Sequence, residues 1–264
     1  MLGVRNNTVA IAVLCAALVG SGCALQASGG SGVAGVLERL KPLTENCDGQ
    51  LNGYFGIDMS ASARGDARLQ EIRIAALKEA ADQVAACGGT AKVVAFSASA
   101  PETLTLGEQD FPASFGTETA RMIKADAIEG DLIGEVEDGL ATAASELQPH
   151  GTDILAQLTL AKQYEEQSGE GDLFVLLETD GIATTKPVDM TAPQFDAKAA
   201  RAAAETVSVP NLSGATVDIA GVGKSTGERQ LSTEKATAIV EFFTQACERS
   251  GAECLVTNDY RAGG

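Results

Sequence analysis

Five consecutive apolar residues, Leu173-Phe174-Val175-Leu176-Leu177, constrain this chain more than any other segment. A strand that is apolar at every position has no face for water, so it belongs inside a parallel sheet covered on both sides. The rest of the chain supplies such a sheet. Short strand patterns at Gly53–Asp58, Ala91–Phe96, Thr216–Val222 and Cys254–Thr257 alternate with helical ones at Gly65–Ala86, Thr117–Leu147, Thr152–Gln167 and Thr233–Arg249. Leu69, Ile72, Ala76, Ala80 and Val84 recur at gaps of three and four, as do Leu132, Val136, Leu140, Ala143 and Leu147, and Ala236, Ile239, Val240 and Phe243. The segment Ser97–Gly116 reads as a loop holding a short edge strand at Thr103–Leu106. This alternation implies an α/β domain with a doubly wound, mostly parallel sheet, helices on both faces and right-handed crossovers.

Composition narrows the function classes. With 45% hydrophobic residues the chain can build a sizeable core, and with no Trp and 4% aromatics that core is aliphatic. The formal charge of −17 argues against nucleic acid, whose binders need a basic surface to displace counterions. Its plainest consequence is solubility.

The N-terminal segment reads as an address. Arg5 gives a small positive region, and Val9–Gly20 is an uncharged, mostly apolar run. That run fits a signal peptide and is too short to span a bilayer core of roughly 30 Å. Val19-Gly20-Ser21-Gly22-Cys23 follows and resembles a bacterial lipobox, although Gly20 stands where Leu or Val is commoner. The expected organisation is therefore a signal peptide at 1–22, a lipidated Cys23 with a flexible tether to residue 46, and one globular domain at 47–264. The alternative for this segment is ordinary secretion with Cys23 incidental. With Cys23 acylated, Cys47, Cys87, Cys247 and Cys254 remain, and four cysteines allow three pairings.

Three polar clusters fall at strand or helix ends. The first strand runs into Asp58-Met59-Ser60-Ala61-Ser62, where alternate side chains point the same way. Gly151-Thr152-Asp153 opens a helix, and Thr179-Asp180-Gly181 follows the apolar strand. Asp58, Ser60, Ser62, Thr152 and Asp180, in this order and setting, resemble the metal-ion-dependent adhesion site of von Willebrand factor A domains. The similarity covers roughly residues 47–260, with only pattern-level likeness outside the motifs. It implies a Rossmann-like sheet of order 3-2-1-4-5-6, with the site at the carboxyl ends of the strands flanking the reversal, where ligands of open α/β sheets bind. It also implies Mg²⁺, or Mn²⁺ in its place, on hydroxyl and carboxylate oxygens, which suit hard cations. A ligand carboxylate would complete the coordination. On that fold, Cys47 pairs with Cys87 and Cys247 with Cys254, each bond joining a helix end to a strand start at the opposite edge of the sheet.

Other signals are weaker. Gly223-Lys224-Ser225 imitates the tail of a phosphate-binding loop, but Asp218 stands where its first glycine belongs, so no nucleotide is expected. The only histidine, His150, cannot build a zinc site alone; it either rims the metal site or is a solvated loop residue. The acidic surface Glu129–Asp138 reads as a solvated face. Ile182–Ser213, with an Ala-rich helix at Asp196–Glu205, is either a recognition surface or packing and linker.

The expected protein is a lipoprotein on the outer face of a bacterial cell membrane. It binds an acidic protein or peptide ligand through a metal, and is not an enzyme. The alternatives are a solute-binding lipoprotein of a transport system, which normally needs two lobes, and a metal-dependent hydrolase, which needs a base beside the metal.

Overall fold

The computed structural model describes residues 32–62, 64, 67–185, 187–224 and 231–260. The expected signal peptide at 1–22 and the expected lipidation at Cys23 lie outside the described residues.

The chain enters through helix α1 (Val33–Leu40) and a 3-10 turn (Pro42–Asn46). It then alternates through β1 (Leu51–Asp58), α2 (Ala67–Cys87), β2 (Gly89–Phe96), β3 (Thr103–Phe111), α3 (Glu118–Glu146), α4 (Ile154–Ser168) and β4 (Asp172–Glu178). It closes with α5 (Ala197–Thr206), β5 (Thr216–Ala220), α6 (Thr233–Ser250) and β6 (Glu253–Thr257). The six strands form one sheet of order β3-β2-β1-β4-β5-β6, as the resemblance implied. Every neighbouring pair is parallel except β2 and β3. The apolar strand β4 lies at the centre, between β1 and β5, with Leu173 to Glu178 all buried.

Alternate residues of the four inner strands feed two separate cores. On one face Tyr54, Val94, Phe96, Val175, Leu177 and Ile219 pack with α4, α5 and α6. On the other, Phe55, Ile57, Val93, Ala95, Phe174 and Leu176 pack with α1, α2 and α3. Each large apolar side chain fully buried this way contributes about 1.5–3 kcal/mol relative to its exposed state. Helices α3, α4, α5 and α6 start on side-chain caps: Thr117, Asp153, Asp196 and Ser232 each accept a hydrogen bond from the backbone N–H three residues on.

Four expectations need correction. The tether does not reach residue 46: Val36 and Leu40 of α1 are buried in the core beside α2 and α3. Arg39 of α1 also pairs with Asp82 of α2 and with Asp126 and Glu129 of α3, the last at 2.8 Å. Glu129 is accordingly no part of a solvated face; it is fully buried and also pairs with Lys78. The edge strand runs over nine residues, because all of β2 from Gly89 to Phe96 finds an antiparallel partner in it, with one irregularity at Val93/Val94. In α2, Ile72 is exposed and Arg73 takes the inward position.

The segment 182–213 is mainly packing. Val188, Met190, Phe195, Val207 and Leu212 are buried, and α5 lays Ala200 and Ala204 into the same core cluster as α6. The disulfides are Cys47–Cys87 and Cys247–Cys254, with Cα–Cα separations of 5.4 and 6.1 Å. Both lie at the amino edge of the sheet, away from Asp58 and Asp180.

Candidate metal centre

The order reversal between β2-β1 and β4-β5 puts the carboxyl ends of β1 and β4 side by side, with Ile57 opposite Glu178 as the last pair of their ladder. Asp58 and Asp180 follow directly. The loops that leave the strands are tied together by backbone. Met59 N donates to Phe96 O, Ala61 N to Pro149 O, Asp153 N to Ser97 O and Gly223 N to Asp180 O, at 2.8–3.0 Å. Two glycines make the turns. Gly151 (φ +101°) and Gly181 (φ +78°) sit in the left-handed region, and a Cβ on either would fall within 3 Å of Ala98 or Ile239.

Asp58 folds back on its own loop. Its Oδ1 accepts from Ser60 N at 2.8 Å, and its Oδ2 accepts from Thr179 Oγ1 at 2.7 Å. Thr179 in turn accepts from Gly181 N, so one hydroxyl locks both acidic loops. Ser60 and Ser62 stand with their Oγ atoms 3.2 Å apart. Asp180 Oδ1 accepts from Ile182 N at 3.0 Å, while its Oδ2 is buried without a geometrically sound hydrogen bond. Thr152 lies one residue before the Asp153 cap of α4 and is buried. Ser60, Ser62 and Thr152 line one cavity of about 500 Å³, together with Pro149, His150, Ile182 and Met190. All five residues singled out by the motif therefore meet at one edge of the sheet, and His150 stands exposed on the rim of the same cavity.

The electrostatics at this edge are unusual. Asp58 and Asp180 are both fully buried. Burial, and then the neighbouring Asp180 charge, push the Asp58 carboxyl up to about 6, against the opposing hydrogen bonds from Thr179 and Ser60. Burial likewise raises Asp180, opposed by the nearby Ser62 hydroxyl. Behind them Glu178 is pushed up to about 8 by burial, which Arg73 only partly offsets. Burial makes this acidic pair costly without a counter-charge.

Among the described residues no group of three or more His, Cys, Asp or Glu is placed to hold a metal ion. The donor set here is instead two carboxylates and three hydroxyls. Two buried carboxylates that repel each other, one with an oxygen left without a hydrogen bond, fit a small hard cation with oxygen ligands. Asp58, Ser60, Ser62, Thr152 and Asp180 are the residues that would hold it.

Sequence reasoning missed three contributors. Thr179 was visible only as a neighbour of Asp180. Arg64 donates from Nη1 to Ala144 O at 2.8 Å and from Nη2 to Leu147 O at 2.6 Å, with Nε on Met59 O, so it pins the Asp58 loop to the end of α3. Arg73 is fully buried beneath the site. The last signal was readable: a cation stands in phase with Leu69, Ala76, Leu77 and Ala80, where an apolar residue is expected.

No protein-family model matches the chain, and no curated protein matches it. Two solved structures are similar in shape. The conserved hypothetical protein BatB from Bacteroides thetaiotaomicron is 13% identical, over 79% of this chain and 91% of that one, with a TM-score of 0.41. The three N-terminal domains of the type V pili tip protein Mfa5 from Porphyromonas gingivalis are 15% identical, over 81% of this chain, with a TM-score of 0.34. This chain spans 43% of the Mfa5 chain's length. Neither likeness bears on function.

Proposed function

We propose that this domain is an exported binding module whose carboxyl edge holds Mg²⁺ or Mn²⁺ and captures a protein or peptide ligand through an acidic side chain. The reading rests on the buried Asp58–Asp180 pair, in which Asp180 Oδ2 lacks a hydrogen bond beside the Ser60, Ser62 and Thr152 hydroxyls. Ser60, Ser62 and Thr152 would offer neutral direct ligands, and Asp58 and Asp180 the balancing charge. A divalent cation there supplies positive charge and a coordination position that a ligand carboxylate completes. The cavity beside these residues, lined also by Pro149, His150, Ile182 and Met190, would give such a carboxylate access. The Ser60 hydroxyl is engaged with Ser62 rather than with a base, which favours binding over hydrolysis.

Export and anchoring belong to the same proposal. Two disulfides suit an oxidising compartment, and Cys23 would carry the lipid that holds the protein on the outer face of the membrane. Labelling cells with a palmitate analogue tests the anchor: wild type is expected to take up label and Cys23→Ala none, and equal labelling removes the anchor from the reading. The binding reading is tested by capture of a library of short peptides, acidic and amidated, in Mg²⁺ and in EDTA. Acidic peptides retained only with Mg²⁺, and lost in Asp58→Ala, support it. Retention indifferent to both changes refutes it.

A further inference from the structure

Arg73 lies in the second turn of α2 with its side chain fully buried, under the sheet edge rather than in water. Its Nη2 donates to Asp58 O at 2.9 Å and to Glu178 O at 2.8 Å. Its Nε stands 3.7 Å from Glu178 Oε2, and the guanidinium lies 6.0 Å from the centre of the Tyr260 ring. The β1–β4 ladder ends at the Ile57–Glu178 pair. At that end of the ladder one guanidinium nitrogen bridges the carbonyls of Asp58 and Glu178.

Asp58 is one of those two residues, and Asp180 lies two residues past the other. Any change in the gap between the carbonyls moves the two acidic side chains relative to each other. We infer that Arg73 is a positioning residue for the metal centre, fixing the spacing of Asp58 and Asp180 by clamping the carboxyl ends of β1 and β4. The inference rests on the metal reading above.

The chemistry explains why arginine stands here. The planar guanidinium meets two carbonyls, a carboxylate and an aromatic ring from one rigid group, whereas an ammonium is a compact charge on a flexible stem. Lysine at this position keeps the charge and loses the fork. Small displacements of liganding atoms matter because Mg²⁺-like ions demand near-ideal octahedral geometry.

The protein holds a natural control. Arg121 in α3 is also buried and also donates to two backbone carbonyls, Ala85 O at 3.1 Å and Ala86 O at 2.8 Å, at the far end of α2. Its loss should weaken the fold by a similar route and leave the metal centre alone.

Mn²⁺ titration of the full chain, followed by electron paramagnetic resonance, is compared for wild type, Arg73→Lys and Arg121→Lys, with thermal melting of each metal-free protein alongside. Both variants are expected to melt earlier. Only Arg73→Lys is expected to raise the Mn²⁺ Kd, by about tenfold, and to broaden the bound-ion spectrum. A Kd within twofold of wild type in Arg73→Lys, or an equal change in Arg121→Lys, overturns the inference and leaves Arg73 a packing residue. If Arg73→Lys yields no folded protein, Tyr260→Leu takes its place, because it keeps both carbonyl bonds and removes the ring over the guanidinium. Its Kd is expected to rise about threefold, and an unchanged Kd overturns the inference equally. Failure of wild type itself to bind Mn²⁺ overturns both this inference and the metal reading, and is seen without any variant.

Discussion

Replacing Cys47 and Cys87 together by Ala is expected to destabilise the domain by about 4 kcal/mol. The bond closes a sequence separation of 40 residues. The chain-entropy relation for a loop of that size gives about 13 cal/mol/K, or about 3.9 kcal/mol at 25 °C. Both cysteines are only half-buried, so truncating them leaves little cavity and the loop term dominates. The same relation gives about 2.4 kcal/mol for Cys247–Cys254, whose separation is 7 residues. Cys247 is fully buried, however, so removing that pair adds a packing loss. Urea unfolding followed by far-UV circular dichroism, without reductant, measures each loss. For a domain of this size the Cys47/Cys87 variant should also melt roughly 8–16 °C lower. A loss under about 1 kcal/mol would show that the unfolded chain is not restrained by this bond, and would refute the loop-entropy reasoning.

Metal binding should depend on pH in a definite direction. Asp58, raised to about 6, and Asp180, raised as well, must release protons before a cation binds, so affinity is full above that pH and falls below it. The Mn²⁺ Kd should rise roughly tenfold between pH 7 and pH 5, and a flat profile contradicts the placement of Asp58 in the site. Arg39→Met should destabilise the domain by roughly 1–3 kcal/mol, since the buried Glu129 then keeps only Lys78 as partner. Hydrogen exchange should show α1 opening selectively in that variant. Unchanged protection over residues 33–40 would mean that apolar packing alone seats the helix.

Much of the fold was legible because the determining signals are local. The apolar run of β4 placed the central strand, and the three polar clusters fell where strand or helix ends put them. The two disulfides followed from the fold. What escaped depends on burial, which spacing alone does not reveal. Val33, Val36, Leu37 and Leu40 carry a helical stripe, but the Gly- and Ser-rich stretch before them made the whole segment read as tether. In β3 the polar Gly107-Glu108-Gln109-Asp110 looked like loop, because an edge strand needs only one face covered. Ile72 took the inward place in the pattern because an apolar residue is the ordinary occupant. The structure gives that place to Arg73, whose Nη2 is met by the two strand-end carbonyls. Glu129 misled for the same reason, since its partners Arg39 and Lys78 come from two other helices. Asp58 stood out in the sequence motif, but its full burial comes from the closure of three loops that no linear pattern contains.

The most direct measurement is a calorimetric titration of Mn²⁺ and Mg²⁺ into metal-free wild type and Asp58→Ala at pH 7. A saturable heat at one site per chain in wild type, absent in a folded Asp58→Ala protein with both disulfides intact, is the predicted result. Equal heats in the two proteins, or no saturable heat in wild type with an acidic peptide present, would contradict a metal centre at Asp58, Ser60, Ser62, Thr152 and Asp180.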